Sequence, residues 1–255
     1  MRIITIAGWL LACSTLAHAA AVAVGNEPAA SAPTPTSPAP DADTLVVTDA
    51  DDAGNQVALR TAIDLIQQGQ PQFAAAMLDK LIPRLDKRHA GKRGTVFCAH
   101  TQAEALYYMG LAAAAKHDAV AVNGDYCDAY FFRGYANVDL HNLEAAAADF
   151  TKALALAPNN PHYLSEMGEL QSQKHDWARA LEFFERARDT AETYAPEHRQ
   201  LAELTRALRG IGFVDVELGK LDEAEAQYRR CLELDPNDEK ARGELGYVLD
   251  LKAKR

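Results

Sequence analysis

Along most of the chain, apolar residues recur three and four positions apart rather than on alternate positions, the pattern of one buried stripe on a helix. Asn55 to Gln68 reads as one helix, Gly69-Gln70 as a turn and Gln72 to Lys87 as a second helix. Thr95 to Lys116 reads as a single helix carrying Ala103, Leu106, Tyr107, Gly110 and Ala113, with a short segment, Asp118 to Val122, after it. From residue 127 the pattern becomes paired helices, and Glu239 to Lys252 closes the chain as a lone helix with Leu245, Gly246 and Leu249 along it. Alanine is abundant and aromatics make up only 7% of residues, which favours closely packed helices over a sandwich or barrel.

The helical pairs repeat. Residues 127–160 and 161–194 align without gaps at a period of 34, matching Gly134 with Gly168, Ala146 with Ala180, Phe150 with Phe184 and Ala153 with Ala187. A third copy, 205–238, follows a ten-residue insertion (195–204) and places Gly212, Ala224, Tyr228, Cys231 and Pro236 at the same points. The insertion itself reads as helix, so the first helix of that copy should be long. Small residues at two fixed positions let antiparallel helices approach, and the aromatic fills the gap to the next pair; one pair alone cannot bury its apolar faces. This spacing resembles the tetratricopeptide repeat. The first copy departs from the family pattern at Arg133 and Asn137, and the second has Glu192 in place of the final proline. The resemblance implies an all-α fold, a right-handed α-solenoid of antiparallel helix hairpins with a C-terminal capping helix. Residues 55–88 fit a first repeat with Leu78 in place of the aromatic, and 239–255 the cap. Residues 89–126 read either as a degenerate repeat or as a long linking helix.

The N-terminal 44 residues differ in character. Arg2, the apolar run Ile3–Ala12 and Ala17-His18-Ala19 have the layout of a secretory signal ending at residue 19. Two alternatives stand beside it: lipidation at Cys13 within Leu10-Leu11-Ala12-Cys13, and an uncleaved anchor. Residues 20–44 are rich in Ala, Pro, Ser and Thr, with five of the eleven prolines, and read as a disordered linker before the helical region 45–255. Together these place the protein in the periplasm or outside the cell, with a lipoprotein as the alternative.

Composition narrows the function. A formal charge of −10 is a poor match for sequence-independent nucleic-acid binding, which rests on phosphate neutralisation. The sequence holds no nucleophile elbow, phosphate-binding glycine loop, HExxH or paired-Cys motif, so no catalytic residue, metal ligand or cofactor is expected. His117, His141 and His175 fall in turns between helices, where a left-handed residue is needed and His is tolerated. Cys231 sits at a small-residue core position. Cys98 and Cys127 flank the irregular segment and are either a disulfide or two separate buried thiols. Arg84, Lys87, Arg88, His89, Lys92 and Arg93 form a basic cluster, Asp86 to Gly94 reading as a loop; it is either solvated or a contact for cell wall or anionic lipid.

The family resemblance implies a concave groove lined by each repeat's first helix. Carried onto this sequence, the groove positions are Asp128, Phe131, Tyr135, Val138 and Asp139; His162, Ser165, Glu169, Ser172 and Gln173; and Arg206, Arg209, Phe213, Val216 and Glu217. Phe131, Tyr135 and Phe213 are candidate anchors for a protein or peptide partner, unless Phe131 and Tyr135 pack on the preceding irregular helix. Arg206 and Arg209 are candidate carboxylate binders. Phe131, Tyr135, Ser165 and Glu169 stand where the carboxylate clamp of some family members has Lys and Asn, which argues against that clamp. The expected function is a non-enzymatic adaptor in envelope assembly, secretion or protein maturation. The alternative is an outer-membrane-anchored module acting through the basic cluster at 84–93.

Overall fold

A computed structural model describes residues 52–254; the signal-like segment and the linker lie outside the described residues. Ten helices and two short strands follow in order: α1 (Asp52–Gln67), α2 (Pro71–His89), β1 (Thr95–Ala99), α3 (Gln102–Ala114), β2 (Ala119–Asn123), α4 (Asp125–Asp139), α5 (Leu143–Leu156), α6 (Pro161–Gln173), α7 (Trp177–Tyr194), α8 (Glu197–Glu217), α9 (Leu221–Leu234) and α10 (Glu239–Ala253). The helices α1 to α2 and α4 to α9 form antiparallel hairpins that stack in sequence, and α10 covers α9. The architecture is the expected all-α solenoid, with one addition.

Local signals explain the helix boundaries. Asn160 accepts from the backbone N–H of His162 and Tyr163, with Pro161 at the first helical position, and so starts α6. Asp176 and Asp238 cap α7 and α10 through the N–H of Arg179 and Ala241. First helices end on left-handed residues: His141 (φ 59°), His175 (φ 58°) and Gly219 (φ 74°). Of the three turn histidines only His117 is displaced from that role; Lys116, one residue earlier, takes the positive φ. The insertion at 195–204 lengthens α8 to 21 residues, as the sequence implied.

Packing of the two helices within each hairpin follows from glycine facing ring. A Cβ added at Gly134 would come within 2.7 Å of the Phe150 ring, at Gly168 within 2.9 Å of Phe184, and at Gly212 within 2.8 Å of Tyr228. Gly210 presses on Phe184 from the other side, so this ring is held between α6 and α8. Ala146, Ala153, Ala180, Ala187 and Ala224 are fully buried.

Residues 89–126 differ from both readings of the sequence. Instead of one helix from Thr95 to Lys116, the chain makes strand, helix and strand. β1 and β2 pair in parallel, from Thr95 opposite Ala119 to Ala99 opposite Asn123, with α3 as the crossover. The start of α3 is set by Thr101, whose hydroxyl accepts from Glu104 N–H, while Glu104 accepts from His100 N–H at 2.8 Å. This reciprocal cap stops helix from extending back into the β-branched and aromatic run Thr95-Val96-Phe97. One face of the strand pair packs Ala99 and Ala121 against Ala105 and Met109 of α3; the other contributes Cys98 and Val122 to the main core. α3 is the most exposed apolar helix, with Leu106 57% exposed and Tyr107 and Leu111 also open to solvent.

Gly210→Ala should lower stability by about 1–3 kcal/mol through overpacking against Phe184, although alanine alone would favour the helix by about 1 kcal/mol. Phe184→Leu should recover part of that loss in the double variant. Urea unfolding midpoints check both; a more stable Gly210→Ala chain would contradict the crossing.

Candidate groove on the first helices

The face shared by α4, α6 and α8 brings together most of the residues carried over from the repeat pattern, but several are engaged inside the fold. Phe131 is only 1% exposed, with its ring 4.6 Å from Tyr163, 5.6 Å from Phe150 and 5.0 Å from His162. It is an interior residue and not an open anchor, because α6 of the following repeat lays Tyr163 and His162 over it. The irregular helix α3 is not what covers it. Asp128 is half-buried and accepts hydrogen bonds from Tyr163 Oη and, at 3.2 Å, His100 Nε2. Tyr135 and Val138 on α4, Glu169 on α6 and Phe213 on α8 remain half-exposed. Phe213 meets Trp177 edge-on at 6.2 Å.

Arg206 and Arg209 do not stand open for a partner's carboxylate. Arg206 Nη1 donates to Glu166 Oε1 at 2.6 Å and lies 3.9 Å from Glu169, with its Nε 3.9 Å from Glu203. Arg209 pairs with Asp238, whose other oxygen caps α10. His162 Nδ1 faces Glu203 Oε2 at 3.2 Å, and Arg199 bonds Glu203 from one turn away. The outcome is a line of charges crossing α6, α8 and the start of α10, lying under Tyr135 of α4. Sequence reasoning missed Glu166, Glu203 and Asp238. Glu166 stands at a position that reads as solvated surface, Glu203 lies in the insertion and Asp238 at a repeat boundary; only helix stacking makes them neighbours.

The environment divides these carboxyls. Burial and the nearby Glu169 push Glu166 up to about 8, with Arg206 opposing them. Burial also raises Glu169. Burial acts on Glu203 in the same direction, but His162, Arg199 and Arg206 outweigh it and hold the carboxyl at about 2. Burial lowers His162, with Glu203 opposing it. Burial also raises the Tyr135 hydroxyl, with Glu166, Asp139 and Glu169 adding to it.

At the other candidate surface, the basic cluster is not one loop. α2 continues to His89, whose ring lies 4.6 Å from that of Tyr126; residues 90–94 form the loop. Asp86, within the cluster, accepts from Tyr126 Oη at 2.8 Å and Tyr130 Oη at 2.7 Å. Cys98 and Cys127 are free, buried thiols in mutual contact. Cys231 is buried at its small-residue position, its thiol pushed up to about 12 by burial. Among the described residues no helix is long and apolar enough to cross a membrane.

Stacked hairpins with a lined inner face define a helical repeat scaffold. Tetratricopeptide repeat models match residues 127–160 and 161–237, so that span carries tetratricopeptide repeats. Among solved structures, PilF of Pseudomonas aeruginosa superposes with a TM-score of 0.58 at 14% identity, over 81% of this chain and 72% of that one. MamA of Desulfovibrio magneticus RS-1 superposes with a TM-score of 0.51 at 17% identity, over 78% and 85%. At these identities the likeness is one of fold. No curated protein matches the sequence.

The two glutamates predict opposite pH effects. Glu203, near 2 when folded against about 4.3 unfolded, adds stability above the unfolded value that is lost as pH falls toward 2. Glu166 keeps its proton up to about pH 8 in the folded chain, so stability falls as pH rises from about 4.3 to 8. Glu166→Gln should flatten that decline, measured as urea midpoints at pH 5 and pH 8. An unchanged slope would mean that Glu166 is not the titrating group.

Proposed function

We propose that this protein is a non-enzymatic scaffold that holds an extended segment of a partner protein along α4, α6 and α8, and that it works outside the cytoplasm. Tetratricopeptide repeats are protein-interaction modules, and the observation that carries the reading is the shared face itself. Tyr135, Val138, Glu169 and Phe213 come from three successive first helices and stay half-exposed. The arginines beneath them already have internal partners, Arg206 donating to Glu166 and Arg209 pairing with Asp238. A lining that is ordered before binding loses less entropy on binding. Specificity would then come from the aromatic and aliphatic side chains and Glu169, not from Arg206 and Arg209. Envelope assembly, secretion and protein maturation are the processes such an exported adaptor would serve.

The placement outside the cytoplasm is supported by the signal-like residues 1–19. Mass spectrometry of the protein from its native host should find Ala20 at the N-terminus. A lipid-bearing Cys13 would favour the membrane-anchored alternative instead, and an intact Met1 would remove the case for cleavage.

Peptide-array binding tests the groove. Tyr135→Ala with Phe213→Ala should weaken the best peptide by about tenfold or more, the scale of one to two hot-spot side chains. Neutralising Lys87, Lys92 and Arg93 should change it little; the reverse result would favour the basic cluster as the contact surface. Phe131→Ala serves as a contrast: its loss should appear as roughly 3–5 kcal/mol of stability, the range for a buried phenylalanine.

A further inference from the structure

β1 and the first turn of α4 each carry one cysteine, and folding sets Cys98 and Cys127 against each other beneath the strand pair. Both are fully buried and belong to the main apolar core. Cys127 Sγ donates to Gly124 O at 3.1 Å, and the His100 ring lies against the same sulfur. That ring is fixed by two carboxylates, with Glu104 Oε2 3.4 Å from Nδ1 and Asp128 Oδ1 3.2 Å from Nε2. Gly124 leaves room for it, since a Cβ there would come within 2.5 Å of the imidazole. Burial alone would lower His100, but Asp128, Cys127 and Glu104 raise it above its ordinary value.

We infer that Cys98 and Cys127 are a modification site, the two ends of an intrachain disulfide that ties β1 to α4 across the whole α3–β2 segment. The oxidant is a small disulfide of the glutathione class. One cysteine thiolate attacks a sulfur of that disulfide, forming a mixed disulfide and releasing one glutathione as thiolate. The second cysteine thiolate then attacks the protein sulfur of the mixed disulfide, and the second glutathione leaves. Two protein thiols are oxidised, one glutathione disulfide is reduced to two thiols, and the protons lost by the cysteines go to the departing thiolates.

The order of events follows from burial. In the closed structure burial raises both thiols, Cys127 most strongly, and neither is exposed to a disulfide in solution. Exchange therefore belongs to the folding chain, before the strand pair closes on α4. Once the core has closed, the same burial shields the bond from reductant.

The full chain, reduced and denatured, should be refolded in a mixture of oxidised and reduced glutathione, with remaining thiols then alkylated under denaturing conditions and mapped by mass spectrometry. The expected product is a Cys98–Cys127 cross-linked peptide lacking two hydrogens, with Cys231 alkylated. The oxidised protein should unfold at higher urea than the same protein after reduction. Cys98→Ala and Cys127→Ala should each abolish that difference between oxidised and reduced samples. Because the comparison is made within one variant, general destabilisation cannot imitate it. Full alkylation of both cysteines after refolding, glutathione retained on either, or cross-links to Cys13 or Cys231 instead would overturn the inference.

Discussion

The contact of an aromatic ring with a glycine backbone sets how closely the two helices of each repeat approach. Phe150 on Gly134, Phe184 between Gly168 and Gly210, and Tyr228 on Gly212 put flat rings where a side chain on the opposite helix would collide. Dense packing leaves little room to absorb an added methyl group. The two helices of each hairpin are therefore held apart by a ring, and Phe184 against Gly210 carries the same contact from one hairpin to the next. The buried alanines along α5, α7 and α9 complete the seams. The groove exists because first helices held at this spacing must share one face.

Charge is treated differently on that face. An acidic chain has carboxylates to spare, yet the arginines nearest the groove are consumed by internal pairs with Glu166 and Asp238. Removing Asp238 would leave the buried charge of Arg209 uncompensated, whereas the intact pair contributes little net stability. The network thus orders the lining more than it strengthens the fold. It also separates two glutamates of one chemical type, one protonated near neutrality and the other ionised far below it.

The repeats were legible in the sequence because their signal is redundant: Gly134, Ala146 and Phe150 recur as Gly168, Ala180 and Phe184, and each copy confirms the others. The strand–helix–strand segment was not, since it occurs once. Apolar periodicity within residues 102–114 is helical, and extending it back to Thr95 ignored the Thr101–Glu104 cap and the β-branched residues before it. The groove was partly legible. The repeat pattern placed Tyr135, Val138, Glu169 and Phe213 on the right face, but it could not show that Tyr163 would cover Phe131 or that Glu166 would claim Arg206. Those outcomes depend on what the neighbouring repeat brings, and a single-repeat pattern carries no such information.

The strand pair and α3 interrupt the chain but not the stack, because α2 packs directly against α4 on the far side of the interruption. The insert is a side branch leaning on the spine, reaching as far as Tyr194 through Tyr107 and Tyr108. The outer face of the branch, Leu106, Tyr107 and Leu111, is thereby freed from the geometric demands of the repeat, while Cys98 and Val122 stay tied to the main core.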